Sequence, residues 1–202
     1  MNLTSKQALE ILDNFRNKLE NNRWIEHCIC VGNTAGKIAQ ALNEKGYNIN
    51  IDKTITLGYV HDIGKHSQEP HSHELNGYNY LRKLGYKDEY CNICITHAYL
   101  NNDVICTAGG VPDINKNPSL TNFVKNHEYT IEEKLINLCD LMCPQGGKIF
   151  TIDKRLVDIM IRRGTYENTQ YHIKEAYKLK QYFDDLLGYN LYDLFPEIKD
   201  NL

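Results

Sequence analysis

The sequence contains almost no stretch in which apolar and polar residues alternate, which is the pattern of a half-buried β-strand. Apolar residues recur instead at steps of three and four, most clearly over residues 24–42. Thr4 with Gln7, and Thr130 with Glu133, have the spacing of capping boxes, which open helices. The sequence therefore predicts an all-α protein.

Charge of one sign is also lacking, since 23 Lys and Arg stand against 26 Asp and Glu, for a net charge of -3. This balance provides no basic field for an extended nucleic acid, although a small nucleotide needs only a few local cations. The N-terminal residues lack the apolar run of a signal peptide, and no apolar stretch approaches the ~18 residues of a membrane span. We therefore expect a cytoplasmic protein that binds neither extended nucleic acid nor a membrane.

The seven cysteines do not form a recognisable disulfide or zinc pattern. Their number is odd and no export signal accompanies them, which argues against disulfides. Cys91 and Cys94 form a C-x-x-C, but no second pair follows at zinc-ribbon spacing, and the segment has helical periodicity. We expect reduced thiols that pack as small apolar side chains.

N-capping residues and glycines divide the chain into predicted helices. One of them starts with Asp52 as N-cap and is stopped by Gly64, which places His61 and Asp62 in its last turn. The other helices are predicted over residues 4–19, 24–46, 72–84, from 88 through 98, 130–143, 151–163 and 167–187. Residues 101–117 are predicted to be a loop, and its role as a lid or as a variable insertion is open.

Several of the eight histidines lie in apolar helical sequence, among them His27, His61 and His97. A buried imidazole costs free energy unless something pairs with it, and a divalent metal would be such a partner. Each of these residues taken alone is better interpreted as a hydrogen-bonded core histidine. Consecutive helical residues point about 100° apart, so His61 and Asp62 can bind one metal only from a helix end.

Five segments carry the pattern in a fixed order. They are His27–Ala35, Gly58–Lys65, His73–Gly77, Ile95–His97 and Leu135–Asp140. Their order and intervals resemble the HD-domain phosphohydrolase superfamily over about residues 24–153. The chain looks most like the bacterial two-metal HD hydrolases related to symmetrical diadenosine tetraphosphate hydrolase. The resemblance implies an HD-domain helical bundle, with residues 1–202 forming one domain and the C-terminal helices 154–202 packed on its core.

The resemblance also implies a set of metal ligands. The first metal would be held by His27, His61, Asp62 and Asp140, and the second by His73, His97 and the bridging Asp62. His73 is preferred to His71 because the family's histidine stands four residues before a glycine, here Gly77. We expect two divalent transition metals per chain, with iron favoured and manganese, cobalt, nickel and zinc as alternatives.

The activity that the resemblance implies is hydrolysis of a phosphoester or phosphoanhydride bond in a nucleotide or a dinucleoside polyphosphate, by a metal-activated water. Asp62 and Lys65 would be catalytic, with Lys65 contacting the phosphate, although a lysine that binds carbonyls at a helix C-terminus is an equal alternative. Three arginines of the later sequence could also contact a phosphate, but a solvated helix face is the favoured interpretation. They are Arg155, Arg162 and Arg163.

The remaining histidines receive weaker assignments. His66 and His71 stay open as metal or phosphate contacts or as loop histidines, whereas His127 and His172 fall outside every motif and are expected at the surface. Two other functions also stay open. One is a one-metal HD nucleoside-monophosphate phosphatase, in which His73 and His97 are not ligands, and the other is a regulatory module that binds a metal or nucleotide without turnover. Loss of the metal, with purely structural histidines, is a third alternative, and a homodimer is left open.

Overall fold

The computed structural model describes residues 1–18, 22–67 and 73–201. Over these ranges the chain forms helices and no β-strand, which confirms the predicted all-α class. The α-helices are α1 Ser5–Arg16, α2 Arg23–Glu44, α3 Ile51–Val60, α4 His73–Lys83, α5 Asp88–Thr96, α6 Pro118–Asn126, α7 Ile131–Asp140, α8 Ile152–Arg163 and α9 Thr169–Leu187. Short 3-10 helices cover Ile63–His66, Leu100–Asn102, Leu191–Leu194 and Pro196–Asn201. None of the helices described is both long and apolar enough to cross a membrane.

The central helix α2 packs closely on α3 at a pair of glycines. A Cβ atom on Gly58 would lie 2.4 Å from the Cα of Gly32, and one on Gly32 would lie 2.7 Å from the carbonyl oxygen of Ile55. No larger side chain fits between two backbones at this separation. The crossing places α2, which carries His27, against the helix that leads to His61.

The N-terminus of α3 differs from the sequence prediction. Asn50, and not Asp52, is the N-cap, because its side chain accepts a hydrogen bond from the backbone nitrogen of Lys53. The carboxylate of Asp52 accepts a hydrogen bond of 2.5 Å from the hydroxyl of Ser5, which joins α3 to α1. An acidic residue at the second position of a helix is also favourable for the helix dipole, so the local pattern did not distinguish Asp52 from Asn50 as the N-cap.

The C-terminus of α3 also comes earlier than predicted. The helix ends at Val60, His61 is its C-cap, and Asp62 leads into the 3-10 helix Ile63–His66. Gly64 does not stop α3. A Cβ atom on Gly64 would lie 1.8 Å from the carbonyl oxygen of His73, so glycine is needed there for α4 to approach the turn that carries Asp62.

Helix α6 was not predicted, because Pro118 was interpreted as part of the preceding loop. Pro118 is instead the first residue of α6, and the side chain of Asn117 caps it by accepting from the backbone nitrogen of Leu120. Proline is well suited to the first helical turn, where its missing N–H is not needed. Val124 of α6 then packs with Ile95, Tyr99 and Val104 in a small cluster of buried apolar side chains.

The main core extends from Leu3 to Ile198 and includes side chains of both C-terminal helices, such as Leu156 of α8 and Phe183 of α9. All seven cysteines are buried and unpaired, as the sequence predicted. The C-x-x-C residues Cys91 and Cys94 lie on α5. The thiols therefore contribute apolar volume to the interior.

The α2–α3 crossing makes a testable prediction. Gly58→Ala should lower the free energy of unfolding by about 1–3 kcal/mol, because the added methyl group overlaps Gly32 and forces the helices apart. Denaturant unfolding measures the loss. Gly109→Ala is the matched control, since a Cβ there meets no atom within 4 Å, and it should change stability by less than about 0.5 kcal/mol. Equal stability of the two variants would contradict the assigned role of the crossing.

Candidate metal centre

Six side chains that the sequence singled out come together at one end of the helical bundle. His27 lies on α2, and His61 and Asp62 directly follow α3. His73 is the first residue of α4, His97 directly follows α5, and Asp140 is the last residue of α7. Five of the six therefore lie at helix ends, where side chains from different elements can point at one place.

The carboxylate of Asp62 is at the middle of this group. Its Oδ2 atom lies 3.5 Å from Nε2 of His27 and 3.6 Å from Nε2 of His61. Its Oδ1 atom lies 3.3 Å from Nε2 of His73 and 3.5 Å from Nε2 of His97. Each carboxylate oxygen thus faces a different pair of imidazoles.

Asp140 completes the side of the group that contains His27. One oxygen of its carboxylate lies 3.0 Å from Nε2 of His27, and the Nε2 atoms of His27 and His61 are 3.1 Å apart. Two sets of donor atoms in this group lie within 4.8 Å of one another, namely His27, His61 and Asp140, and His61, Asp62 and His97. Both sets have the spacing of candidate metal ligands.

Backbone carbonyls fix the tautomer of three of the imidazole rings. Nδ1 of His27 donates to the carbonyl oxygen of Cys143 at 2.7 Å, and Nδ1 of His61 donates to that of Gly58 at 2.7 Å. Nδ1 of His97 donates to the carbonyl oxygen of Ile93 at 3.0 Å. Since a carbonyl only accepts, each Nδ1 carries a proton, and the neutral ring presents a lone pair on Nε2. This is the arrangement that orients a histidine for a metal.

The donor set fits a divalent metal. The Nε2 lone pairs of His27 and His61 face each other at 3.1 Å, which is unfavourable unless a positive charge lies close to both. Oδ1 of Asp62 is buried and has no hydrogen-bond partner among the described residues. Imidazole nitrogens and carboxylate oxygens are ligands for iron, manganese, cobalt, nickel and zinc. A bound cation would satisfy both the lone pairs and the carboxylate.

The electrostatics also favour positive charge at this place. Burial lowers the pKa of His61 to about 3, so its ring is neutral. Burial alone would raise the pKa of Asp62, but Lys65 and the neighbouring histidines hold it well below its usual range. For His97, burial would lower the pKa, but the nearby carboxylate of Asp62 outweighs it, so the pKa of His97 is raised. Asp62 therefore stays ionised in the interior and draws positive groups toward it.

Lys65 forms an ion pair with Asp62 through its ammonium group. Burial would lower the pKa of Lys65, but the charge and hydrogen bond of Asp62 raise it above the usual value. Lys65 also lines the cavity in front of the histidines. Of the two interpretations left open by the sequence, a cation directed at the site fits this placement better than a lysine bound to helix carbonyls.

The other histidines lie in different surroundings. His66 stacks on Phe15 and lies tilted against Tyr80, with ring centroids 4.8 and 4.7 Å away, and it does not line the cavity. His127 is half-buried and pairs with Glu133 at 2.8 Å, so it is not a free surface residue. His71 lies outside the described residues.

His172 was wrongly predicted to be at the surface. It is 5% exposed, lines the cavity in front of the metal centre, and has a pKa lowered to about 4 by burial. The sequence did contain a signal for this, because His172 shares one face of α9 with Ala176, Phe183 and Leu187. A histidine that continues an apolar stripe is a candidate for burial.

The cavity has a volume of about 620 Å³ and contains the metal centre at one side. Arg155, Arg162 and Arg163 of α8 lie along another part of its wall, and Arg162 and Arg163 are exposed to solvent as the sequence favoured. Arg155 is only 9% exposed. Sequence spacing did not reveal the contact, because it depends on how α8 packs after the break at Gly146 and Gly147.

Residues 107–110 of the long loop form a further part of the cavity wall. Asn168, the N-cap of α9, holds this loop, because its side-chain amide nitrogen lies within hydrogen-bond distance of three backbone carbonyl oxygens. They belong to Ile105 at 2.8 Å, Thr107 at 3.1 Å and Gly109 at 3.0 Å. The loop is therefore fastened to α9 in this structure, and α9 begins at Thr169 and not near Glu167 as predicted.

Comparison with known proteins identifies the class to which this arrangement belongs. The model of the HD domain matches residues 24–143, which is more than half of the chain, so the protein belongs to the HD-domain family. Members of this family bind divalent metals and are generally metal-dependent phosphohydrolases. The matched segment contains all six side chains of the candidate metal centre and ends before α8.

Among curated proteins, the chain is 32% identical over 92 residues to an uncharacterized protein of the archaeon Methanocaldococcus jannaschii. The match covers 46% of this chain and 52% of that protein, so it spans about half the length of the relative. No solved structure matches the chain.

The hydrogen bonds from Asn168 to the loop predict the effect of Asn168→Ala. Loss of the amide should lower the free energy of unfolding by about 1–3 kcal/mol, because three carbonyls lose a buried donor. Hydrogen exchange should rise for the backbone amides of residues 105–110. Asn126→Ala is the control, since that amide donates to a carbonyl at an exposed site, and it should leave exchange in the loop unchanged. Unchanged exchange in both variants would contradict the role given to Asn168.

Proposed function

We propose that the protein is a two-metal phosphohydrolase that cleaves a phosphoester or phosphoanhydride bond of a nucleotide or a dinucleoside polyphosphate. The observation that supports it best is the position of Asp62, whose two oxygens face two different pairs of imidazoles. A carboxylate with this environment is suited to bridging two cations. We assign the first metal to His27, His61, Asp62 and Asp140, and the second to Asp62, His73 and His97.

Bound divalent metals would supply a water of lowered pKa and neutralise charge on the attacked phosphate. The side chains of the chain hold and orient this centre. The carbonyls of Cys143, Gly58 and Ile93 keep three imidazoles in the tautomer that presents Nε2 to the centre. His73 differs from them, because its Nδ1 faces the carboxylate of Glu74 at 3.5 Å.

Lys65 is the residue that we assign to the substrate phosphate. Its ammonium lines the cavity and is kept protonated by Asp62, so it is available to stabilise negative charge on the reacting group. We infer no nucleophilic side chain, because water suffices for hydrolysis.

We propose a nucleotide or dinucleoside polyphosphate as substrate because the sequence motifs resemble those of the symmetrical diadenosine tetraphosphate hydrolases. Iron is the metal we favour, with manganese, cobalt, nickel and zinc as alternatives, since N and O ligands suit all of them. A cavity of about 620 Å³ is within the range of sites for small molecules. We propose a small phosphorylated partner, and neither an extended nucleic acid nor a membrane.

Metal content tests the ligand assignment. By elemental analysis we expect two divalent ions per chain in the purified protein and about one in His73→Ala. His27→Ala should lose the ion of the first site. Removing a metal ligand should lower kcat by at least about 10–100-fold, which is the typical loss when only a residue that hydrogen-bonds a ligand is replaced. His66→Gln is the matched control, because His66 packs against Phe15 and Tyr80 outside the cavity, and should keep both ions.

If His73→Ala kept full metal content and turnover, the centre would hold one metal, as in the nucleoside-monophosphate phosphatase alternative. Purified protein that contains no metal at all, and takes up none, would refute the metal centre itself.

Turnover is tested with a panel of nucleotides and dinucleoside polyphosphates, under anaerobic and aerobic conditions. We expect release of phosphate or nucleotide that a chelator abolishes and that added divalent metal restores. Asp62→Asn should abolish release, because it removes the bridging charge from both metals. Metal binding without release from any compound would favour a non-catalytic regulatory module.

A further inference from the structure

The part of the cavity wall that α8 and α9 contribute lies outside the segment matched by the HD domain. We call it the α8–α9 wall and define it by four side chains. They are Arg155, Arg162, Arg163 and His172. No role has been given to these side chains so far, and the family match does not account for them.

Arg155 is a buried guanidinium whose hydrogen bonds are incomplete. It is 9% exposed, and one terminal nitrogen donates to Asp158 at 2.8 Å. Its Nε atom is buried without a hydrogen-bond partner among the described residues. A buried charged donor that lacks a partner costs free energy, which a ligand with acceptor oxygens in the cavity can offset.

The wall carries more positive than negative charge. Asp158 is shared between Arg155 and Arg162, with nitrogen to oxygen distances of 2.8 and 2.7 Å, so one carboxylate faces two guanidinium groups. Arg163 takes part in no ion pair within the described residues and lines the same cavity. Because Asp158 already occupies the fork of Arg162, the cations left for a ligand are Arg155 and Arg163.

His172 adds a neutral hydrogen-bonding group beside these cations. Burial lowers its pKa to about 4, so the ring is uncharged near neutral pH. His172 is only 5% exposed. Within the part of the chain that the structure describes, its ring nitrogens nevertheless form no hydrogen bond. A buried imidazole that lines a cavity and lacks a partner is suited to contact a polar ligand there.

Another part of the cavity lining carries negative charge. Asp62, Glu74 and Asp140 line it around the candidate metal centre, and their negative charge is what bound cations would neutralise. The arginines of the wall and the candidate metal ligands therefore line one cavity of about 620 Å³, in which bound cations at the ligands would add a second positive site.

We propose that the α8–α9 wall binds a second phosphate group of the substrate, so that this protein acts on compounds in which the cleaved phosphate is joined to at least one more. This inference rests on the proposed function for the position of the cleaved phosphate. Guanidinium groups match the geometry of phosphate oxygens and form charge-assisted hydrogen bonds to them. The reaction is hydrolysis of a P–O bond: the oxygen of water bonds to the attacked phosphorus, the bond from that phosphorus to the bridging oxygen breaks, and the bridging oxygen leaves with the far phosphate. The two protons of the water pass to the product phosphates or to solvent.

The first test measures binding without catalysis. Inorganic tripolyphosphate is titrated into the metal-free protein in the presence of a chelator, and heat release is followed by calorimetry. We expect measurable binding that Arg163→Gln weakens at least about tenfold, since charge-assisted hydrogen bonds are among the stronger ones. Arg82→Gln is the control, because Arg82 pairs with Asp88 on the surface away from the cavity, and it should bind as the wild type does.

Arg155→Gln should weaken binding similarly, and its unfolding midpoint is measured because Arg155 is buried. Arg163 is exposed, so its variant tests the proposal even if the Arg155 variant is unstable. Citrate is titrated as a second anion. Equal affinity for citrate would overturn the preference for phosphate, and wild-type affinity in Arg163→Gln would overturn the wall as a binding site.

The second test separates the wall from the metal centre. In the metal-loaded protein, Arg163→Gln should lower kcat/KM at least about tenfold for a dinucleoside polyphosphate, and change it less than twofold for p-nitrophenyl phosphate, which has a single phosphate. Equal loss on both substrates would contradict a second-phosphate site. If the wild type hydrolysed neither, the proposed function would fail, while the calorimetric test of the wall would still give an answer.

Discussion

The buried carboxylate of Asp62 is the constraint on which the rest of the site depends. It is 2% exposed, remains ionised, and has one oxygen without a hydrogen-bond partner in the described structure. An isolated ionised carboxylate in a protein interior is strongly unfavourable, so positive charge has to be supplied close to it. Lys65 supplies one charge from the cavity side. Three of the four surrounding imidazoles, those of His27, His61 and His97, present their Nε2 lone pairs inward, and they supply no charge unless they are protonated or bind metal.

The close packing of the helices brings these groups within a few ångströms of one another. Gly32 and Gly58 let α2 and α3 approach, and Gly64 lets the start of α4 contact the turn after Asp62. The same backbone also fixes the rings, since the carbonyl of Gly58 accepts from His61 and that of Ile93 accepts from His97. Close backbone approach and ring orientation are thus produced by the same elements, which makes the geometry of the centre a property of the bundle as a whole.

Much of the fold and of the candidate site followed from the sequence, because both depend on local patterns. The capping boxes at Thr4 and Thr130 are present as predicted, and the six motif residues come together. The helix after Asn117 was missed, because proline at the first helical position was interpreted as loop. The burial of His172 and the contact of the α8 arginines with the cavity depend on tertiary packing after a glycine-rich break, which no local spacing encodes. The sequence motifs therefore predicted the residues of the candidate metal centre better than those of the α8–α9 wall.

This difference has a physical reason that bears on substrate selection. A metal centre demands particular ligand types at fixed helix ends, and such residues leave a recognisable order in the sequence. A phosphate can be held by any cation that reaches it, so the elements that hold a second phosphate need no shared motif. The anionic side chains around the centre, Asp62, Glu74 and Asp140, would repel additional phosphates that the bound cations do not neutralise. Positive charge on α8, which lines the same cavity, would offset that repulsion. This is why we place the proposed discrimination between polyphosphates and simple phosphate esters in the C-terminal helices.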